Sequence, residues 1–169
     1  MKKLLLVAFT IPLLFSCGKE ENKTNNTDDI EYNETSTAVK EQPTVNHLVI
    51  KANENMTFDK TEFVVKAGEE LTLLLLNDGT SPKEAMGHNV VVLNQGTDVD
   101  AFAFAASSAA ENDYIPKDKE NEIIIHTKLL GPKESDQVKF KFDKPGTYNF
   151  ICSFPGHSAT MRGKIKVIE

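Results

Sequence analysis

From Thr44 onward, apolar and polar positions alternate in short runs, each closed by a turn-forming cluster. His47-Leu48-Val49-Ile50 opens the series, and Met56-Thr57-Phe58 and Glu62-Phe63-Val64-Val65 follow. Leu71 through Leu76 closes at Asn77-Asp78-Gly79, and Asn89 through Leu93 closes at Asn94-Gln95-Gly96. Glu122 to His126 ends near Gly131-Pro132, and Val138 to Phe142 stops at Lys144-Pro145-Gly146. Tyr148 to Cys152 and Gly163 to Val167 complete the set. A period of two sends successive side chains to opposite faces, so each run predicts a strand. Many short strands with Gly/Pro turns predict an all-β sandwich or barrel. The exception is Val99 to Tyr114, rich in alanine, the best helix former. It predicts one helix inserted between strands and ended by Pro116.

The pattern before Thr44 is different. Met1-Lys2-Lys3 precedes a nearly unbroken apolar run to Phe15, then Ser16-Cys17-Gly18. A basic start, a short apolar run and a small residue before the cleavage point spell a secretory signal over 1–16. The run is too short for a comfortable membrane-spanning helix. Leu14-Phe15-Ser16-Cys17 resembles a bacterial lipobox, which implies lipidation of Cys17 and a membrane anchor there. Residues 17–43 read as an acidic, flexible, lipid-anchored linker. Residues 18–43 hold three Lys against seven Asp or Glu and few large apolar side chains, too few to offset ordering entropy. Such a coil spans roughly 25–30 Å. Residues 44–169 then form the folded domain.

Composition agrees with one domain and a tail: 169 residues, 40% hydrophobic and 26% charged. A net charge of −6 and a single Arg exclude a nucleic-acid partner, which needs a basic face. Without a Gly-rich phosphate loop, a nucleotide enzyme is disfavoured. There are two cysteines, and lipidation of Cys17 leaves Cys152 as the only thiol.

The chemistry concentrates in Cys152-Ser153-Phe154-Pro155-Gly156-His157-Ser158-Ala159-Thr160-Met161. A thiolate, an imidazole and a thioether follow one another at intervals of five and four residues between two predicted strands. A second imidazole stands upstream in Met86-Gly87-His88-Asn89. A lone Cys is usually an inert core thiol and a Met a gap filler. Two His, one Cys and a weak Met are, however, the donor set of a trigonal blue-copper site.

Met86-Gly87-His88-Asn89, His126-Thr127-Lys128-Leu129-Leu130-Gly131 and Cys152 to Ala159 resemble the azurins, within the cupredoxins, over roughly 45–169. That resemblance implies a Greek-key cupredoxin sandwich or barrel with a helical flap, and one copper ion cycling between Cu(II) and Cu(I). It implies Cys152, His88 and His157 as ligands, Met161 as axial thioether, and the Gly87 carbonyl as a weak donor opposite. Asn89 would tie the two ligand loops and, with the backbone N–H of Phe154, donate to the Cys152 sulfur. Met56, Met86, Phe154, Pro155 and Ala159 would form an apolar docking face around His157. His126 and His47 read as structural or surface positions. The positions matching the azurin disulfide are Asn46 and Glu69, and Val90 stands where azurins carry a large indole.

The implied function is an electron carrier rather than an enzyme. Its partners would be c-type cytochromes or copper and haem reductases and oxidases. Its address is the periplasmic side of a membrane, the outer membrane by preference, with the cell surface as the other. A copper oxidase or nitrite reductase needs a second copper site, and four histidines do not supply one. The alternative is a non-redox copper storage, delivery or binding module on the same scaffold.

Overall fold

A computed structural model of the protein describes residues 43–169. The expected signal at 1–16, the lipidation site Cys17 and the 17–43 linker, except its final residue, lie outside the described residues. Eight strands form two sheets: β1 (His47–Ala52), β2 (Glu62–Lys66), β3 (Leu71–Asn77), β4 (Val91–Leu93), β5 (Ile123–His126), β6 (Ser135–Phe140), β7 (Gly146–Ile151) and β8 (Arg162–Ile168). One sheet has the order β1-β3-β6, the other β2-β8-β7-β4-β5. β1 pairs with β3 and β2 with β8 in parallel; the remaining pairs are antiparallel. The architecture is a Greek-key-like cupredoxin sandwich. The barrel alternative does not hold among the described residues, where the sheets stay separate.

The alternation along β1 and β3 places Leu48, Ile50, Leu71, Leu73 and Leu75 inside. They share one core with Phe63, Val65, Phe150, Ile165 and Val167 of the other sheet. Each fully buried side chain of this kind stabilises the fold by roughly 1.5–3 kcal/mol. β4 is buried on both faces because α2 (Val99–Ser107) covers the far side. Phe102 and Ala106 of α2 pack there with Val91, Leu93 and Ile151.

Three expectations need correction. Met56-Thr57-Phe58 is a turn, not a strand: Asn53 Oδ1 accepts from the Asn55 N–H at 2.9 Å, and Met56 is left-handed at φ +52°. Only Phe58 meets a strand, through an isolated bridge to Ala52. α2 begins where Asp98 accepts from the Asp100 and Ala101 N–H groups, but it stops at Ser107. A 3-10 turn at Ala110–Asn112 and two left-handed residues, Asp113 and Tyr114, redirect the chain before Pro116. Pro116 instead precedes a second 3-10 segment, Lys117–Glu122. Finally, β6 starts three residues before Val138 because β3 extends its pairing from Leu71↔Phe140 to Leu76↔Ser135. A one-turn helix, α1 (Lys83–Met86), precedes the His88 loop.

Candidate metal centre

One end of the sandwich gathers two loops. The first is the Cys152–Met161 segment joining β7 to β8. Its ends are pinned by Cys152 N–H donating to the Met161 carbonyl at 2.9 Å. Within it, Gly156 turns left-handed at φ +80°, and His157 opens a 3-10 turn. The His157 N–H donates to the Phe154 carbonyl at 3.0 Å, and the Met161 N–H to the His157 carbonyl at 2.8 Å. Five- and four-residue spacing therefore becomes a closed hoop with its donors turned inward.

The second loop carries His88, which no regular strand holds. His88 forms an isolated bridge with Leu130, its N–H donating at 3.2 Å and its carbonyl accepting at 2.8 Å. Leu130 is fixed in turn by buried Asn77, whose Nδ2 donates to the Leu130 and Gly131 carbonyls at 3.2 and 2.9 Å. The Val90 N–H donates to Thr127 Oγ1 at 3.0 Å. Sequence reading assigned no role to Asn77, Thr127 or Leu130; their signals were a polar residue ending a run of leucines at Asn77-Asp78-Gly79 and the His126-Thr127-Lys128-Leu129-Leu130-Gly131 motif. Before His88, a Cβ on Gly87 would lie 2.7 Å from the Lys83 carbonyl oxygen and 3.0 Å from Leu129, so only glycine fits there.

Asn89 joins the loops. Its Oδ1 accepts from the Ser153 N–H at 2.8 Å, and its Nδ2 donates to Ser153 Oγ at 2.8 Å. The expected tie between the loops is thus present, made to Ser153. The backbone N–H groups of Asn89 and Phe154 face the Cys152 sulfur.

His88, Cys152 and His157 converge, with donor atoms all within 4.8 Å of one another. Cys152 Sγ lies 3.7 Å from His157 Nδ1, and the two imidazole centroids are 5.0 Å apart. His88 and Cys152 are fully buried, as is Met161, and His157 is 3% exposed. Burial pushes the Cys152 thiol up to about 11, against the pull of the two backbone N–H groups. Burial, then the neighbouring His88, lowers His157 to about 4. Burial also lowers His88. Both rings are therefore neutral at pH 7, with lone pairs free to donate.

Neither ring nitrogen of His88 has a partner of hydrogen-bond geometry. A buried polar atom left so is costly unless something completes it. A neutral imidazole offers one lone pair, so one nitrogen of His88, one of His157 and the buried thiol fit a metal ion, and the sulfur selects a soft or borderline one.

Of the expected docking residues, Met56, Pro155 and Ala159 are exposed, Met86 is half-buried, and Phe154 lies beneath at 8% exposure. Thr160 Oγ donates to the Met56 carbonyl at 2.7 Å, which holds this apolar rim to the ligand hoop. His126 is exposed on the edge strand β5, and His47 opens β1; neither joins the cluster.

A small two-sheet sandwich holding two imidazoles and a thiol in one sealed end defines the single-site cupredoxin class. Residues 44–168 match the family of copper binding proteins, plastocyanin/azurin family, and the chain belongs to it. Outer membrane protein H.8 of Neisseria gonorrhoeae is 37% identical over 123 residues, 71% of this chain. The match covers 66% of that relative, so the chain spans just under two thirds of its length. Azurin-1 of Alcaligenes xylosoxydans xylosoxydans is 36% identical over 71% of this chain and 95% of its own. Among solved structures, a reduced auracyanin from Roseiflexus castenholzii is similar at TM-score 0.68 and 35% identity, covering 75% of this chain and all of that one. An azurin of Methylomonas sp. strain J follows at TM-score 0.65 and 30% identity, over 73% and 98%. Azurins are electron carriers, not enzymes, and this chain is built on the same blue-copper-like scaffold.

Proposed function

We propose that this chain is a mononuclear type 1 copper protein that passes single electrons between redox proteins outside the inner membrane. The observation that carries the reading is the sealed His88–Cys152–His157 cluster with buried Met161 beside it in the hoop. Copper bound there would supply the Cu(II)/Cu(I) couple. Cys152 and Met161 offer soft sulfur to the cuprous state, and His88 and His157 offer imidazole acceptable to both states. The Gly87 carbonyl, on the residue before His88, would be a further, weak donor. Asn89 and Phe154 hold the sulfur by backbone N–H groups, which fixes its basicity. With these protein donors around a bound ion, no open position would be left for a substrate.

Met56, Met86, Pro155 and Ala159, with Phe154 beneath, form the face through which electrons pass by way of His157. A small apolar contact suits partners that must separate quickly. Such partners are c-type cytochromes or copper and haem reductases and oxidases. Cys17 anchors the protein by lipid and 17–43 tethers domain 44–169. The relatives named outer membrane protein support an address on the periplasmic side of the outer membrane, or at the cell surface. Burial of all three cluster residues weighs against the storage or delivery alternative, which wants an open, exchangeable site.

Addition of one equivalent of Cu(II) to the protein is expected to give a strong charge-transfer band in the red and a narrow copper hyperfine splitting. A weak band with ordinary splitting overturns the proposal in favour of storage or delivery.

Binding should also depend on pH in a defined way. The Cys152 thiol is protonated until about pH 11. Each copper held by its thiolate therefore displaces a proton at neutral pH, and apparent affinity rises about tenfold per pH unit. As pH falls through about 4, His157 takes a second proton and the dependence steepens. Chelator competition at several pH values measures this; a flat profile around neutrality would mean that Cys152 gives up no proton on binding.

A further inference from the structure

Asp113 and Tyr114 stand consecutively in the left-handed region, at φ +51° and +62°. An aromatic residue there is an outlier, and such geometry persists only where its surroundings over-determine it. The restraints are specific. The Tyr114 N–H donates to the Ala109 carbonyl and the Ile115 N–H to the Asn112 carbonyl, both at 2.9 Å. Asn112 Nδ2 donates to the Ile115 carbonyl at 2.6 Å, and Lys83 Nζ lies 3.6 Å from the Asp113 carboxylate. Asn89 Nδ2, already bonded to Ser153, reaches the Asp113 carbonyl at 3.4 Å.

The corner aims the Tyr114 ring at the ligand hoop. Its centroid lies 5.0 Å from that of Phe154, edge to face at 67°. Phe154 in turn packs on the His157 ring at 4.6 Å and 40°, and His157 lies 5.0 Å from His88. Aromatic pairs at these distances carry an orientational preference beyond area burial. His157 needs such support, because its 3-10 turn fixes the backbone and leaves the ring's torsions to its neighbours.

We propose that Tyr114 is a positioning residue for His157. Its ring, delivered by the strained corner, presses Phe154 against the imidazole and sets the imidazole's angle to Cys152 before a metal arrives. The helical insertion thereby acts as a brace on the ligand hoop. Its further consequence, a smaller rearrangement between redox states, rests on the copper reading above; the positioning itself does not.

The test compares the full chain with Y114A and Y114F. In the metal-free proteins, the His157 ring-proton NMR signals are expected sharp and single in wild type and Y114F, and broadened or doubled in Y114A. In the copper-loaded proteins, release to a chelator is expected about tenfold faster in Y114A and unchanged in Y114F, the scale seen when an outer support of a ligand is removed. A merely structural role would lower the melting temperature of Y114A but leave its ring signals sharp. Sharp signals together with unchanged release overturn the proposal. Should Y114A fail to fold, Y114L fills the space without an aromatic ring and is expected to show the same broadening. A wild-type protein that takes copper without colour would defeat the copper reading, while the metal-free ring signals would still decide the role of Tyr114.

Discussion

Replacing Cys152 by Ser is expected to abolish the red charge-transfer band while leaving the sandwich folded. Cys152 is the only cysteine among the described residues, free and fully buried at the end of β7. No other thiol in the cluster can replace its donor orbital. A serine hydroxyl is close in shape, so the core cluster that holds Cys152 with Leu130 and Met161 survives. It is also a hard, weakly acidic donor that does not match a cuprous ion. Copper affinity should fall by more than the roughly 10–100-fold that removal of an outer partner costs. Absorption spectroscopy with copper quantification checks both statements. A C152S protein that keeps the intense band would show that the colour arises elsewhere.

The second large effect is on stability. Metal-free protein should melt well below the copper-loaded form. A ligand that binds only the folded state adds about 4 kcal/mol when present at a thousand times its dissociation constant. For a domain of this size each kcal/mol moves the melting temperature by about 3–4 °C, so a rise above ~10 °C is expected. One feature of the site enlarges the contrast. The orphaned nitrogens of His88 are a local cost in the metal-free state, and a bound ion would complete one of them. Scanning calorimetry with and without one equivalent of copper measures the difference. A rise of only a degree or two would mean that the four side chains do not bind as a unit.

Much of this was readable in the sequence where a physical rule acts locally. The runs located all eight strands, by alternation where one face is wet, as in β1 and β3. The hoop was readable because Cys152, His157 and Met161 are close in sequence and Pro155-Gly156 forces a turn between them. β6 was found but displaced, since its start is set by β3 rather than by its own residues. Met56 looked extended because it precedes Phe58, but the Asn53 side chain captures the backbone into a turn. The alanines through Ala110 promised a longer helix than formed; the hydrogen bonds of Asn112 and the corner at Tyr114 outweigh their propensity. The Leu130 motif was visible, but its role in supporting His88 was not, because Asn77 and Leu130 are distant from each other in the chain and meet only after folding.

That distance has a consequence for how the protein is made. His88 stands dozens of positions before Cys152 and His157, and β2 waits for β8 to complete its parallel pairing, from Glu62↔Lys164 to Lys66↔Ile168. Contacts of such long range form late. A chain emerging N-terminus first exposes His88 long before Cys152 exists to join it. Even a chain extended through Met161 has every donor but no β8 to close the hoop against β7. On the copper reading, the colour would then mark a finished fold, and an incomplete or mispaired chain is expected to stay colourless in the presence of copper.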